Sequence, residues 1–285
     1  MYTAIIIDMV GSKKYSPSER KFVQYSILEV SQQLNSVFSK ALEKEVYFSA
    51  GDEIQGLFKS SAAAYIYCRL FMLLMYPIKF RCGIGSGSWD TRLKNEATTA
   101  QDGVAYQRAR TAEESVDRLS SGNLLYYSGE DNDSLVNALL CGISEIEEQQ
   151  SAYQKKMQLL VELMNPFDIG IINRQAFKKL LPMAFERNNK GPFEKAKGKG
   201  ESLLAELNLK KAVMNVLDLS SQDGAFFVTE TISRGVITDI ANATGKSRQV
   251  ISKTLKDAGG IAGIRSSAAS VIIYLNKRDG ERENV

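Results

Sequence analysis

The apolar positions at the start of the chain predict a buried strand followed by a long helix. Residues 2 to 10 form a nearly unbroken apolar run rich in isoleucine, which ends at Gly11-Ser12. A run of this kind is typical of a strand that is buried on both faces. A capping box begins at Ser16, with Glu19 three residues later, and apolar residues then recur at helical spacing from Phe22 to Leu42.

The following segments predict an α+β fold. Residues 46 to 49 and 54 to 58 are short apolar segments around a turn that would hold Asp52 at its tip, which predicts a hairpin. A helix, a strand, a third helix and a further strand are then predicted over residues 60–76, 78–85, 103–119 and 124–128. The order βαββαβ with an added αβ indicates a ferredoxin-like domain, in which helices cover one face of an antiparallel sheet.

The C-terminal part has the spacing of a helix-turn-helix from Val236 to Lys256. Ala241 is small enough for close helix packing, and Gly245 supplies a turn four residues later. Ser247 is a natural N-cap for the second helix. The core positions between the two helices are Ile240, Ile251 and Leu255.

Two short apolar segments after this motif predict a hairpin wing. They are Ile261 to Arg265 and Ser270 to Leu275, joined by four small residues. The whole chain is therefore predicted as a ferredoxin-like domain over residues 1–130, a helical connector with an insertion over 131–230, and a winged helix-turn-helix over 231–285.

Composition excludes several kinds of chemistry. The 285 residues include no histidine, which removes Ser-His-Asp and Cys-His triads and His-ligated metal sites, so catalysis would depend on carboxylates, metal ions, Lys, Arg or Tyr. Three cysteines without a CxxC pair argue against a disulfide framework and fit a reducing cytosol. The N-terminus lacks the features of a signal peptide, and the most apolar window, 62–76, is too short for a membrane span. We expect a cytoplasmic protein without a membrane partner.

Positive charge is concentrated near the C-terminus. The whole chain carries a formal charge of +3, whereas residues 246 to 278 contain seven basic residues and one acidic residue, which is 7 − 1 = +6. Arg, Gln and Ser side chains read base edges and Lys neutralises phosphates. The predicted contacts to duplex DNA are Lys246, Ser247, Arg248, Gln249, Ser252, Lys253 and Lys256. The alternative is a protein-interaction module, because helical hairpins of this kind also bind proteins.

Asp8 and Asp52 are candidate ligands of a divalent metal ion. Asp8 lies near the end of the first strand and Asp52 at the hairpin tip, and these elements are neighbours in a ferredoxin-like sheet. Two nearby carboxylates favour a hard cation such as Mg²⁺ or Mn²⁺, which also binds substrate phosphates. This arrangement suits two-metal phosphoryl transfer. The alternative is that both are ordinary turn or capping residues.

These segments carry a resemblance to known families. Ile7 to Ser12 resembles the first metal-binding motif of class III nucleotidyl cyclases, and Gly51-Asp52-Glu53 resembles their second aspartate motif. Residues 51–57, 83–85 and 102–110 more closely resemble the SatD family of bacterial proteins, which joins a cyclase-like N-terminal region to a C-terminal helix-turn-helix. The resemblance covers residues 2 to 128 and the helix-turn-helix.

The resemblance implies that the ferredoxin-like domain over residues 1–130 is of the cyclase/palm type and contains a nucleotide-binding region. Its residues would be Gly11, Ser12, Glu53, Asp102, Arg108 and Arg110, with a nucleoside triphosphate as the ligand. Arg108 and Arg110 present planar guanidinium groups suited to phosphate, although they also fit a solvated helix face. The expected function is a SatD-like DNA-binding transcriptional regulator, working as a homodimer, whose cyclase-like domain senses a nucleotide or metal ion. The alternative is an active nucleotidyl cyclase or nucleotidyltransferase.

Overall fold

The N-terminal half is built from five strands and three main helices in the predicted order. A computed structural model describes residues 1–93, 96, 100–188, 190–195, 203, 207–220, 227–256 and 260–283. The successive elements are β1 (Tyr2–Met9), α1 (Pro17–Val37), β2 (Leu42–Ala50), β3 (Glu53–Phe58), α2 (Ser61–Met75), β4 (Phe80–Gly87), α3 (Val104–Ser115) and β5 (Leu124–Tyr127). The capping box of Ser16 and Glu19 is present at the start of α1, as predicted.

The five strands form one mixed sheet with the order β2-β3-β1-β4-β5. The pairs β2–β3, β3–β1 and β1–β4 are antiparallel, and β5 runs parallel to β4. β1 therefore lies at the centre, with Ile7 paired to Ile54 of β3 and Asp8 paired to Arg81 of β4. The α+β class predicted from the sequence is confirmed, and the sheet is mixed rather than purely antiparallel.

Helices cover both faces of this sheet, which corrects the expectation of one covered face. Ile5 and Ile7 of β1 belong to the large core that includes residues of α1 and α2, whereas Ala4 and Ile6 pack with Ala105 of α3 on the opposite face. The parallel pairing of β4 and β5 requires a crossover connection, and α3 provides it on the face that α1 and α2 leave open. β1 is accordingly buried on both faces, as predicted.

Alternate glycines in β4 allow α3 to lie directly on the sheet. A Cβ atom at Gly83 would meet the carbonyl oxygen of Ala109 at 2.0 Å, and one at Gly85 would meet the amide nitrogen of Ala109 at 2.1 Å. At Gly87 the amide nitrogen of Ala105 would be 2.8 Å away. The glycine pattern therefore serves the close approach of two backbones.

The C-terminal half is mainly helical and packs on the N-terminal half. Its elements are α4 (Asp133–Gln149), α5 (Ala152–Met164), β6 (Phe167–Asp168), α6 (Arg174–Phe177), α7 (Leu180–Arg187), α8 (Gly191–Lys195), β7 (Leu217–Asp218), α9 (Val236–Thr244), α10 (Arg248–Lys256) and α11 (Ile261–Glu283). α11 contacts α2 and α4, and buried residues of α9, α10 and α11 belong to the same hydrophobic core as β1. The domain boundaries at 130 and 230 stay predictions, since the core is continuous across both. Part of the predicted connector, at 189, 196–202, 204–206 and 221–226, lies outside the described residues.

The predicted hairpin wing is wrong, because its two segments lie in the single helix α11. The buried residues Ile261, Ile264, Ala268, Ile272 and Leu275 follow one another at intervals of three or four, which places them on one face of a helix. A short apolar run does not by itself distinguish a strand from a buried helix, and here tertiary packing selected the helix.

Among the described residues, no single helix is long and apolar enough to cross a membrane, and one bent pair, α10 with α11, meets the criteria of length and composition together.

Candidate functional site

Asp8 lies in an ion-pair network at one end of the sheet. Its carboxylate accepts a hydrogen bond from Arg81 of the neighbouring strand. Arg81 also donates to Asp117, which follows α3. The Nε atom of Arg81 lies 3.2 Å from Glu113 Oε1, within ion-pair distance but without the alignment of a hydrogen bond. The guanidinium group of Arg81 therefore lies within ion-pair distance of three carboxylates. Its hydrogen bond to Asp8 is the main reason that the pKa of Arg81 is raised.

Glu53 pairs with Arg110 beside this network. Arg110 donates to both carboxylate oxygens of Glu53, with a distance of 2.8 Å from Nη2 to Oε1. Ser49 donates a further hydrogen bond to Oε1. Burial opposes ionisation of Glu53, but the hydrogen bonds from Arg110 and Ser49 outweigh it and lower the pKa of this carboxyl group. Glu53 is thus held as a carboxylate.

Glu113 of α3 joins the two arginines. Its carboxylate lies within ion-pair distance of Arg81 and, at 3.5 Å, of Arg110. Its side chain is almost fully buried, and burial is the main reason that its pKa is raised. We call the side chains of Asp8, Glu53, Glu113 and Asp117, with Arg81 and Arg110, the carboxylate cluster. Four carboxylates and two guanidinium groups give the cluster a formal charge of 2 − 4 = −2.

Asp52 lies at the same end of the sheet as this cluster. It follows Gly51, whose φ of +60° forms the turn between β2 and β3. Because Ile54 pairs with Ile7, the turn is beside the end of β1 that carries Asp8. In the part of the chain that the structure describes, no group of three or more acidic or cysteine side chains is arranged to hold a metal ion. A divalent cation at Asp8 would have to compete with Arg81 for the carboxylate.

The predicted nucleotide-binding residues are divided between the two ends of the sheet. Gly11 and Ser12 follow β1, and Glu53 and Arg110 belong to the carboxylate cluster. Arg108 instead donates to the carbonyl oxygen of Ser86 at 2.7 Å, close to the other end of β4, and its guanidinium lies 5.6 Å from the centre of the Tyr127 ring. Asp102 is also at that end, where its backbone pairs with Thr91 and its carboxylate accepts from the amide of Gly103. The structure therefore does not bring the six residues together.

The second candidate region is the pair α9 and α10. Gly245, with φ of +68°, ends α9, and Ser247 Oγ accepts a hydrogen bond from the amide of Val250 at 3.3 Å, as expected of an N-cap. Ile240, Ile251 and Leu255 are each at most 1% exposed. The two helices and the apolar contacts between them thus occur where the sequence predicts them.

The opposite face of α10 is polar and open to solvent. Lys246, Ser247, Arg248, Gln249, Lys253 and Lys256 are exposed, and Ser252 is half-buried. Val250 is 46% exposed on the same surface and was not among the predicted contacts. Helical spacing was the available signal, since Val250 lies three residues before the exposed Lys253 and therefore next to it on the helix surface.

The local charge of +6 overstates the positive surface. Arg265 is fully buried and pairs with Glu162, with Nη1 to Oε2 at 2.7 Å. Arg278 is buried as well and donates to Ser128 Oγ at 2.9 Å. The basic residues left at the surface of this span are Lys246, Arg248, Lys253, Lys256 and Lys277. The single acidic residue of the span, Asp257, lies outside the described residues.

The comparisons with known proteins place the chain in a family. The sequence pattern that defines the SatD family matches residues 2–169, so the chain belongs to the SatD family. The match extends past the resemblance over residues 2 to 128 and reaches α5 and β6, and it does not include α9 and α10. No curated protein matches the chain significantly.

Two solved structures of a bacterial light-regulated adenylyl cyclase show a distant likeness. The first is 14% identical over 44% of this chain and 42% of that chain, with a TM-score of 0.33. The second is 15% identical over 44% of this chain and 74% of that chain, with a TM-score of 0.31. This chain thus spans less than half the length of the first. At such TM-scores the likeness assigns neither a fold nor an activity to this chain.

Proposed function

We propose that this SatD-family protein is a regulator that binds duplex DNA through α10. The observation that carries the proposal is the division of α10 into two faces, one buried and apolar, the other exposed and basic. Arg248 and Gln249 lie at the N-terminal end of α10, the end that a recognition helix directs to base edges. Lys253 and Lys256 lie one to two turns further along, where lysines can neutralise phosphates on either side of the groove.

The remainder of the fold holds α10 in a defined position. α10 contacts α9 and α11, and α11 in turn packs on α2 and α4. Near the end of α11, Asp279 accepts hydrogen bonds from the amide of Ser61 at 2.6 Å and from its hydroxyl at 2.9 Å. A helix fixed in this way loses little conformational freedom on binding, which favours recognition of a rigid duplex.

Substitutions on α10 separate base reading from phosphate contact. We expect Arg248→Ala to cost about 1 to 3 kcal/mol at a specific site and to relax base preference there, because a bidentate contact is lost. Lys253→Ala should weaken binding to all sequences alike and lower the salt slope by about one, because one fewer counterion is released. Fluorescence anisotropy on genomic fragments over a salt series measures both effects.

Lys40→Ala is the matched control, since Lys40 is an exposed lysine between α1 and β2 of the N-terminal half. It should leave both affinity and salt slope unchanged. If the folded full-length protein binds no fragment even at low salt, the proposal fails and a protein-interaction module becomes the better interpretation of α9 and α10.

The regulator is also proposed to act as a homodimer. Helix-turn-helix proteins commonly present two recognition helices about 34 Å apart, which match half-sites one turn of DNA apart. A single α10 offers four basic side chains nearby, a small number for specific binding at physiological salt. Sedimentation velocity of the full chain, with and without a bound fragment, tests this part of the proposal.

A second candidate function is metal-dependent binding or phosphoryl transfer of a nucleoside triphosphate near the carboxylate cluster. The observation in its favour is that Asp8, Glu53 and the turn with Asp52 lie at one end of the sheet. Asp8 and Asp52 would hold Mg²⁺ or Mn²⁺, and Arg81 would release Asp8 when the ion binds. The nearby Arg110, Gly11 and Ser12 would then be the candidates for contacts to phosphate.

Thermal unfolding with Mg²⁺ and each common nucleoside triphosphate tests this second function. A ligand at 100 times its dissociation constant adds about 2.7 kcal/mol to the stability of the folded state. We expect a rise in melting temperature for the wild type that is absent in Asp8→Asn and Asp52→Asn and present in the control Asp90→Asn, whose residue lies at the other end of β4. No rise with any triphosphate contradicts this function, and formation of a cyclic or dinucleotide product would establish the enzyme alternative.

A further inference from the structure

A cleft of about 620 Å³ opens beside the end of the sheet at which β4 begins, and none of its lining residues belongs to α10. Its walls come from α2, the start of β4, the loop that precedes β5, and α4 and α5. A volume of this size is in the range of pockets that hold small organic molecules. Arg81 lies between this cleft and the carboxylate cluster and contributes to both.

Most charged groups of the cleft already have partners. Arg69 pairs with Glu162 at 2.6 Å and lies 3.5 Å from Glu147. Glu147 also accepts a hydrogen bond from Gln158 at 2.6 Å. Glu148 accepts one from Ser121 at 3.2 Å. Asp117, the third acidic residue that lines the cleft, accepts a hydrogen bond from Arg81. The acidic groups of the cleft are thus engaged within the protein.

Two lysines that line the cleft lack an ion-pair partner in the described part of the chain. Among the described residues, neither Lys79 nor Lys155 has a carboxylate within ion-pair distance. Lys155 is partly buried, and its Nζ lies 5.7 Å from the centre of the Tyr76 ring. Burial is the main reason that the pKa of Lys155 is lowered, and the positive charge of Lys79 acts in the same direction, whereas the carboxylates of Glu147 and Glu148 act against it. An anion between these two ammonium groups would relieve both effects.

Part of the buried wall of the cleft is apolar. Leu73, Leu140 and Ile143 are all less than 10% exposed and line the interior, while Met72 and Tyr76 lie nearer the surface. Removal of apolar ligand surface from water against such a patch favours binding. The cleft therefore combines an apolar patch with a pair of lysines.

We propose that this cleft binds an amphiphilic organic anion, a molecule with an apolar body and a single carboxylate or phosphate group. The acidic group would lie between Lys79 and Lys155, and the apolar body against Leu140 and Ile143. Binding at the cleft does not require DNA binding by α10 or metal binding at Asp8.

Octanoate is the first probe, and isothermal titration calorimetry of the full chain measures its binding. We expect saturable binding of one octanoate per chain, with octyl phosphate competing for the same site. Octylammonium, which has the same body and the opposite charge, should bind at least about tenfold more weakly, because two lysines would repel it. Inorganic phosphate, which has no apolar body, should not displace octanoate.

Four variants and a control locate the site. Lys155→Met and Lys79→Met should each weaken octanoate binding about tenfold through loss of a charge-assisted hydrogen bond. Lys155→Arg should retain most of the affinity. Met72→Trp should block binding by filling the cleft, and Lys59→Met, at an exposed lysine outside the cleft, is the matched control.

Three results would overturn the proposal. Absence of saturable octanoate binding overturns the proposal, as does equal affinity for octylammonium. Octanoate binding that survives both Lys79→Met and Met72→Trp would place the ligand elsewhere and also overturn it. Circular dichroism and melting temperature confirm that each variant is folded, and Lys79, being exposed, gives a test that does not depend on the core.

Discussion

We expect the Glu162→Gln variant to lose about 3 to 5 kcal/mol of unfolding free energy. Glu162 of α5 is 2% exposed, and each of its carboxylate oxygens binds a buried arginine: Arg69 of α2 at 2.6 Å and Arg265 of α11 at 2.7 Å. Glutamine keeps the size of the side chain but removes the charge. Two buried guanidinium groups would then face a neutral partner, which is more costly than the loss of the ion pairs themselves.

Chemical denaturation of the full chain measures this effect, with Glu145→Gln as the control. Glu145 is an exposed residue of α4, and its replacement should change stability by less than about 0.5 kcal/mol. A value for Glu162→Gln within about 1 kcal/mol of the wild type would show that Arg69 and Arg265 find other partners.

The same residue predicts a pH dependence. Burial opposes ionisation of Glu162, but Arg265 and Arg69 outweigh it and lower its pKa. A carboxylate with a lowered folded-state pKa contributes stability above its unfolded pKa of about 4.3, and this contribution is lost as the pH falls through the folded-state value. The loss of stability in acid should therefore be shallower in Glu162→Gln than in the wild type.

The second large effect is expected for Gly85→Ala, at about 3 kcal/mol of destabilisation. The added Cβ would lie 2.1 Å from the amide nitrogen of Ala109 and 2.3 Å from the carbonyl oxygen of Ala105, which are backbone atoms of α3. Neither can move aside as a flexible side chain would, so α3 must shift away from β4. That shift would also disturb the ion pair between Arg110 and Glu53.

Gly142→Ala is the matched control for this substitution. Gly142 lies within α4, and a Cβ atom added there would have no neighbour within 4 Å beyond the backbone of the helix itself. Alanine is favoured over glycine in a helix interior by about 1 kcal/mol, so the control should stabilise the protein. Opposite signs for the two Gly→Ala changes are the expected result, and a neutral Gly85→Ala would contradict the close packing of α3 on the sheet.

The features of the fold that were predicted correctly depend on local sequence patterns. The buried strand, the capping box of α1 and the α9–α10 pair each depend on residues within about 20 positions of one another, and each was predicted from spacing. The wing failed because Ile261 to Leu275 contains short apolar runs that fit either a strand or a helix. Only the contacts of α11 with α2 and α4 decide between them.

The candidate sites also contain features that the sequence predicts and features that depend on contacts between distant segments. The position of Asp8 at a strand end was evident from the chain, but its partner Arg81 was not, since 73 residues separate them. The exposed face of α10 follows from helical periodicity. The burial of Arg265 does not, because it depends on Glu162, 103 residues away.

The sequence by itself determined the element order of the N-terminal half, the two-faced character of α10 and the absence of histidine chemistry. Only the tertiary structure decided that α3 covers the second face of the sheet, that Arg81 and Arg110 pair with the carboxylates at its end, and that two of the seven C-terminal basic residues are buried. The physical reason is the distance along the chain over which each kind of interaction acts. Helix and turn formation depend on neighbouring residues, whereas burial and ion pairing depend on which distant segments pack together, and a spacing pattern carries no information on that.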